Sequence, residues 1–189
     1  MACGLLTKGR GLDCNRISGG IKNIYFAVYD QALSVTEASG EITDIDMGAS
    51  SIYKYVMPLG VASLTDTIVG SRENGTIYYT PTVNIILNRL TKEDQNQVKL
   101  LGATKTIIFA ELNETLASNG HNVIVGLGTV NGMGLNAGTI DSGAAWGDRN
   151  GYTLTFDGME STPFSMVVDY TATPFDNADD GAQIPIISS

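Results

Sequence analysis

The sequence is poor in the residues that carry chemistry. It has one histidine, His121, and two cysteines, Cys3 and Cys14, in 189 residues. A single imidazole excludes any mechanism that needs two, and two thiols are too few for a disulfide scaffold. With no second cysteine pair and no histidine cluster, Cys3 and Cys14 read as ordinary thiols rather than a zinc site. Proline is scarce, at 5 against 22 glycines, so the turns fall to glycine. No run approaches eighteen apolar residues, and the start Met1-Ala2-Cys3-Gly4-Leu5-Leu6-Thr7-Lys8 lacks the order of a secretory signal. Neither a membrane span nor a membrane anchor is expected, and a reducing cytosol is the expected place of synthesis.

Positive charge is missing from one part of the chain. Residues 106–189 contain Arg149 alone against ten acids, whereas residues 1–105 balance ten Lys/Arg with ten acids, so the formal charge of −9 lies in the second part. Such a chain repels nucleic acid, because gripping a polyanion requires clustered cations that displace its counterions. Anionic lipid is disfavoured for the same reason.

What is present is apolar and β-forming. Apolar residues at 43% exclude a wholly disordered chain, and short runs rich in Thr, Ile, Val and Tyr between glycines point to strands. Residues 1–22, with five glycines interrupted by basic residues up to Gly19-Gly20, read as an arm. Ile24-Tyr25-Phe26-Ala27-Val28-Tyr29 is apolar on both faces and predicts a strand covered on both sides. Residues 36–50 read as a polar loop with a short strand, and β-type runs follow at 51–57 and 59–69. The turn Arg72-Glu73-Asn74-Gly75 leads into twelve alternating residues. Ile77, Tyr79, Pro81, Val83, Ile85 and Leu87 fall on one side. Tyr78, Thr80, Thr82, Asn84, Ile86 and Asn88 fall on the other. At about 3.3 Å per residue this strand spans roughly 40 Å, which suits a large sheet or barrel.

Thr91-Lys92-Glu93-Asp94 has the cap and first-turn acids of a helix start, and Gly102 the character of a stop, giving one short helix at about 92–101. Strands are expected at 105–112 and 122–127, with a turn at Ser118-Asn119-Gly120. After a glycine-rich connection, alternation resumes at 151–157 (Tyr152, Leu154 and Phe156 in; Thr153, Thr155 and Asp157 out). It continues at 163–170 (Phe164, Met166, Val168 and Tyr170 in; Ser165 and Asp169 out). Residues 174–189 read as a second arm. Strands, one helix, then strands specify a mainly β fold: an antiparallel β-sandwich or part-barrel with one flanking helix and two terminal arms around a single core at 23–173.

Several motifs invite a site and fail on their details. In Gly126-Leu127-Gly128-Thr129-Val130-Asn131-Gly132 the third glycine arrives one residue late for a dinucleotide loop, and no helix follows. Asp176-Asn177-Ala178-Asp179-Asp180-Gly181 lacks the third calcium ligand and has Ile187 where a bidentate Glu is needed. Asp44-Ile45-Asp46 has nothing nearby to complete a metal site. His121 lies in an expected hairpin turn, and no Ser occupies a nucleophile elbow. Asn74-Gly75-Thr76 and Asn113-Glu114-Thr115 match the glycosylation pattern, which carries no weight without a secretory signal. No catalytic residue, cofactor or metal ligand is therefore assigned, and the expectation is a protein that is not an enzyme.

Three segments together resemble the tail tube proteins of tailed bacteriophages. They are the opening Met1-Ala2-Cys3 with Gly9-Arg10, Cys14 and Gly19-Gly20-Ile21-Lys22-Asn23-Ile24-Tyr25-Phe26; the central strand running into Leu90-Thr91-Lys92-Glu93-Asp94 and Leu100-Leu101-Gly102; and Gly147-Asp148-Arg149-Asn150-Gly151-Tyr152-Thr153-Leu154-Thr155-Phe156-Asp157-Gly158. The resemblance implies a virion structural protein, assembled in the host cytoplasm, whose rings, commonly of six subunits, stack into a hollow conduit for DNA ejection. It implies strands from every subunit joining one inner barrel, with arms and a long hairpin reaching neighbours. Further copies of the chain and sheath, terminator and baseplate proteins are the implied partners. Pattern alone reads the polar strand faces equally as the outer surface of a monomeric sandwich or as a channel wall. The resemblance favours the wall and makes Thr80, Thr82, Asn84, Thr153, Thr155, Asp157, Ser165 and Asp169 the candidate lumen-facing residues, along which DNA passes without specific binding. Rival readings are another virion part, such as a head decoration or tail adaptor protein, and a carbohydrate-binding β-sandwich using Trp146 and Tyr78.

Overall fold

The computed structural model describes residues 9–10, 18–32, 34–116, 120–167, 170–179 and 181–188. Among these residues twelve strands and one α-helix follow in the order β1 (Ile21–Val28), β2 (Ser34–Ala38), β3 (Glu41–Asp46), β4 (Ile52–Val56), β5 (Ser63–Ser71), β6 (Thr76–Asn88), α1 (Lys92–Ala103), β7 (Thr106–Thr115), β8 (Asn122–Leu127), β9 (Gly134–Asp141), β10 (Gly151–Asp157), β11 (Ser165–Val167) and β12 (Ile186–Ile187). The described residues are mainly β, and two sheets with a single helix form a β-sandwich. Cys3, Cys14 and most of the expected N-terminal arm lie outside the described residues.

The central strands are apolar on both faces. In β1, Ile24 and Phe26 enter one core while Tyr25 and Ala27 enter another. Ile108 and Ala110 against Ile107 and Phe109 do the same in β7, as do Val123 and Val125 against Ile124 in β8. These strands lie at the centre of an eight-stranded sheet ordered β12-β4-β1-β7-β8-β11-β3-β2, which must therefore be covered twice. The first cover is the four-stranded sheet β5-β6-β10-β9, whose Val83, Ile85, Leu154 and Phe156 complete one core.

The second cover comes from the large sheet itself. β3 and β4 are joined by residues 47–51 alone, yet five inter-strand steps separate them in the sheet, about 24 Å if it were flat. Six fully extended residues reach only about 20 Å. The sheet curls, and Ile42 and Ile45 of β3 meet Ile52 of β4 in the second core. Residues 170–187 close the gap. Phe175 packs edge-on against Tyr25 and Phe109, the Ala178 carbonyl accepts from Ile45 N, and the Pro185 carbonyl accepts from Ile52 N. The segment expected as a C-terminal arm thus lies along its own subunit, and β12 pairs in parallel with β4. Its acidic composition suggested a solvated tail, but Phe175 and Ile184 are fully buried, and Asp176 serves as a local cap. Its carboxylate accepts from the N–H groups of Thr171, Ala172 and Thr173 and from the Thr171 hydroxyl. Those donors outweigh desolvation and hold it far below the usual carboxylate range.

The helix begins where expected. Thr91 accepts from Asp94 N and donates its hydroxyl to the Asp94 carboxylate, while Val98 and Leu101 pack against the first core. It passes through the expected stop at Gly102, where a Cβ would lie 3.8 Å from Leu135 of β9, an ordinary contact. Two segments expected to be irregular are strands. Residues 34–46 form a hairpin on Ser39 and Gly40, both at positive φ, and a bulge after Thr36 breaks the alternation that would have revealed it. The glycine-rich 134–141 is β9, in which Gly138 approaches the Thr153 carbonyl so closely that a Cβ would lie 2.9 Å away. No helix among the described residues is long and apolar enough to cross a membrane.

One ionised group is buried inside the curl. Glu111 in β7 accepts from Asn23 Nδ2 at 2.6 Å and Tyr25 Oη at 2.7 Å, and pairs with Lys22 Nζ at 3.1 Å. Burial alone would raise its pKa, but the bonds from Asn23, Tyr25 and Lys22 prevail and hold it below its ordinary 4.5. Burial and the bond to Glu111 push the Tyr25 phenol far up. A depressed carboxylate contributes stability above its unfolded pKa and loses it as pH falls through the folded value. Glu111→Gln is accordingly expected to cost about 2 kcal/mol at pH 7. Urea midpoints of the two proteins should converge below about pH 4. A gap that stays constant from pH 7 to pH 3 contradicts this role.

Candidate functional site: the outer face of the four-stranded sheet

Register places the candidate residues in rows. Thr82 pairs with Asp157, Asn84 with Thr155 and Ile86 with Thr153 across β6 and β10. On the far side of β6, Thr65 pairs with Thr82 and Thr67 with Thr80, while Thr139 of β9 pairs with Thr153. Because Val83, Ile85, Leu154 and Phe156 point inward, period-2 geometry turns these residues to the opposite, outer face. The result is a sheet surface dominated by threonine, tied laterally by Thr155 Oγ1 donating to Asn84 Oδ1 at 2.7 Å, Thr80 Oγ1 to the Thr67 carbonyl, and Asn136 Nδ2 to Asp157 Oδ2 at 2.9 Å.

Six of the eight candidates share this face: Thr80, Thr82, Asn84, Thr153, Thr155 and Asp157. Ser165 does not. It lies in β11 of the large sheet opposite Gly126, is 4% exposed, and points with Val167 into the second core, whereas Phe164 and Met166 are exposed. The alternation expected for 163–170 is therefore shifted by one residue. The three-residue β11 packs by its partners β8 and β3, and its own composition does not set its phase. Asp169 lies outside the described residues. The sequence reading missed Thr65, Thr67 and Thr139. The first two were legible in the alternation of Ser63, Thr65, Thr67 and Ser71 with Leu64 and Ile68, while the glycines of β9 hid the third.

The face carries two carboxylates in its rows, Asp157 and Asp141, and no Lys or Arg on any of its strands. A single cation reaches it from outside: Arg149, in the loop after β9, donates through Nη2 to Thr153 Oγ1 at 2.7 Å. That loop, 142–150, is a fixed structure. The Asp148 carboxylate accepts from the N–H groups of Ala145 and Ala144, which hold it below the ordinary aspartate range, and Gly143 N bonds to Asp141. At its apex Trp146 is fully exposed.

Among the described residues no strand pairs with either edge of this sheet. β5 is nine residues long with Asp66 as its one charge, and β9 is eight with Asp141 as its one charge. Edge strands are ordinarily guarded by Lys, Pro, short length, a bulge or an inward-pointing charge. These have none of the first three, though a bulge at Asn136 interrupts β9 and Asp66 of β5 turns to the core side.

The motifs set aside on sequence grounds are occupied by the protein itself. Gly126 sits in β8 against Ile42 and Phe109, and Gly128 and Gly132 close a turn through Gly132 N to the Gly128 carbonyl. The turn's free donors, Val130 N and Asn131 N, are taken by the buried carboxylate of Glu160, so no anion is received there. Burial, with Glu37 and Asp66 nearby, raises Glu160 against the effect of those two donors. The His121 ring lies 4.9 Å from that of Tyr170, whose hydroxyl donates to the Asn122 carbonyl. No group of His, Cys, Asp and Glu that could hold a metal occurs among the described residues.

Close backbone approach fixes where β10 meets β6. A Cβ at Gly151 would run into the Leu87 carbonyl, a backbone atom that cannot yield, whereas one at Gly147 meets nothing within 4 Å. Gly151→Ala should cost about 2 kcal/mol and Gly147→Ala less than about 0.5. Equal thermal melting of the two variants contradicts this packing.

Compared with protein families, curated protein sequences and solved structures, the chain matches none.

Proposed function

We propose that this chain is a tail tube subunit of a tailed bacteriophage: a structural protein whose rings stack into a conduit for DNA, without chemistry of its own. The observation that carries the reading is the four-stranded sheet, which pairs a threonine-rich, cation-poor outer face with two long edge strands that no other described strand pairs. If β5 of one copy pairs with β9 of the next, every edge is satisfied and the polar faces turn inward together. Six copies supply 24 strands. At about 4.8 Å spacing and about 40° tilt that gives a backbone diameter of about 48 Å, and a bore of about 38 Å between side chains. Three copies would leave a bore of only about 14 Å by the same arithmetic. A wall of hydroxyls and amides with an acidic residue in each repeat offers phosphate no counterion-releasing contact, so DNA slides rather than binds.

The carbohydrate-binding alternative loses its support to geometry. Tyr78 lies near the start of β6, and Trp146 lies beyond its end at Asn88, about 30 Å apart along the strand. The two aromatics do not share a platform.

Electron microscopy of the concentrated protein should show hollow tubes, and strictly monomeric particles would overturn the proposal. In the same preparation, Thr82→Lys with Thr155→Lys should leave assembly intact and convert tubes that ignore duplex DNA into tubes that retain it at low salt and release it at high salt. Native tubes that already hold DNA would contradict the reading of the face.

A further inference from the structure

Four asparagines of the chain are followed by glycine: Asn74-Gly75, Asn119-Gly120, Asn131-Gly132 and Asn150-Gly151. In such a pair the glycine nitrogen can reach the side-chain carbonyl carbon of the asparagine and close a five-membered ring, because glycine has no Cβ to obstruct the approach. Closure needs a glycine N–H free to give up its proton, a side-chain amide free to rotate and a backbone free to turn. The fold withholds these at three pairs and leaves them at one.

Gly120 N donates to the Leu116 carbonyl at 2.9 Å, and Gly132 N donates to the Gly128 carbonyl at 3.1 Å, so both nitrogens are held as donors. Asn119 itself lies outside the described residues. Asn131 is fixed further, with Nδ2 donating to the Met159 carbonyl at 2.7 Å and N to the Glu160 carboxylate at 3.0 Å. Gly151 is buried in β10, which runs between β6 and β9. Its partner Asn150 is pinned twice: Oδ1 accepts from Leu90 N at 3.0 Å, and the carbonyl accepts from Arg89 N at 2.6 Å.

Asn74 and Gly75 differ on each count. Both are exposed in the turn 72–75, and Gly75 stands at a φ of 64° with nothing within 4 Å of where a Cβ would lie. The one bond at Asn74 runs from its own N to Ser71 Oγ at 3.2 Å, which leaves the side chain loose. Among the described residues neither that side chain nor Gly75 N has a hydrogen-bond partner.

We propose that Asn74 is a site of spontaneous deamidation, and that among the four pairs it is the one that reacts in the folded protein. Gly75 N bonds to Asn74 Cγ, the Cγ–Nδ2 bond breaks, and ammonia leaves with the proton that Gly75 N gives up. Water then opens the cyclic imide. Attack at Cγ yields aspartate, whereas attack at the backbone carbonyl yields isoaspartate, in which the main chain runs through the side-chain carbon. Water is the sole co-reactant, and nothing is oxidised or reduced.

The consequence is local and electrostatic. Arg72 and Glu73 offset each other in the turn, so either product makes it net negative and takes the chain one unit beyond its formal charge of −9. Isoaspartate also adds a methylene to the backbone, but it does so outside the last ladder pair, Ser71 with Thr76, where neighbouring Ile68 and Ile77 are already exposed. The modification therefore marks the age of a chain without unfolding it. It needs one folded chain and no ring, so it stands or falls apart from the tube.

The test is peptide mapping by mass spectrometry of dilute protein held in mildly alkaline buffer, with and without urea. Unfolded, all four asparagines meet the same glycine neighbour, and they should convert at similar rates. Folded, the Asn74 peptide should lose its amide and elute as two products. Conversion at Asn119, Asn131 and Asn150 then waits on local opening and should run at least tenfold slower. Asn74→Gln, whose longer side chain closes only a six-membered ring, should melt as the native protein does and lose the fast phase of ammonia release. Native protein that keeps the Asn74 amide while the unfolded chain loses it overturns the proposal, as does conversion of Asn131 or Asn150 at the rate of Asn74.

Discussion

Three strands that are apolar on both faces set the conditions for the rest of the fold. β1, β7 and β8 bury Ile24, Ile108 and Val125 on one side and Tyr25, Phe109 and Ile124 on the other, and a sheet of that kind cannot face water anywhere along its centre. Two covers follow. One is a separate four-stranded sheet, and the other is the large sheet's own curl, sealed by Phe175 and Ile184 from the C-terminal segment. The one buried charge inside that curl, Glu111, is tolerated because Asn23, Tyr25 and Lys22 together occupy its oxygens.

The covering sheet has a simpler task, since only its inner face must be apolar. Its outer face is free to take any polar composition, and the chain uses threonine, asparagine and two aspartates there while keeping Lys and Arg off the strands. β-Branched threonine keeps strand propensity high on a wet surface. The same sheet is left with two long edges, a hairpin longer than its core requires and a Trp on a capped loop. The proposed ring gives both edges a partner, which is the argument for assembly made from physical cost rather than from any catalytic group.

Legibility in the sequence followed the strength of the local signal. The long strand at 76–88 and the strand at 151–157 were readable because apolar and polar residues alternate without interruption, and six candidate residues fall together on one face as a result. The helix start was readable from Thr91 and Asp94, which cap one another. Failures occurred where distant contacts outweigh composition. Ser165 looked like a surface residue but is buried because β11 is placed by β8 and β3. Gly138 looked like a loop residue, but its lack of a side chain is what lets β9 pair with β10. Asp176 looked solvated, but its carboxylate is consumed by three backbone donors. The open edges were invisible in the sequence, because being unpaired is a property of sheet order and not of any residue.

The central claim is that β5 and β9 are edges waiting for each other across a subunit boundary. Hydrogen exchange of their backbone amides, compared between dilute and assembled protein, tests it most directly. Protection that is low in the dilute state and rises together in both strands on assembly, while β6 and β10 stay protected throughout, is the predicted result. Amides of β5 and β9 that exchange equally fast in both states would contradict it.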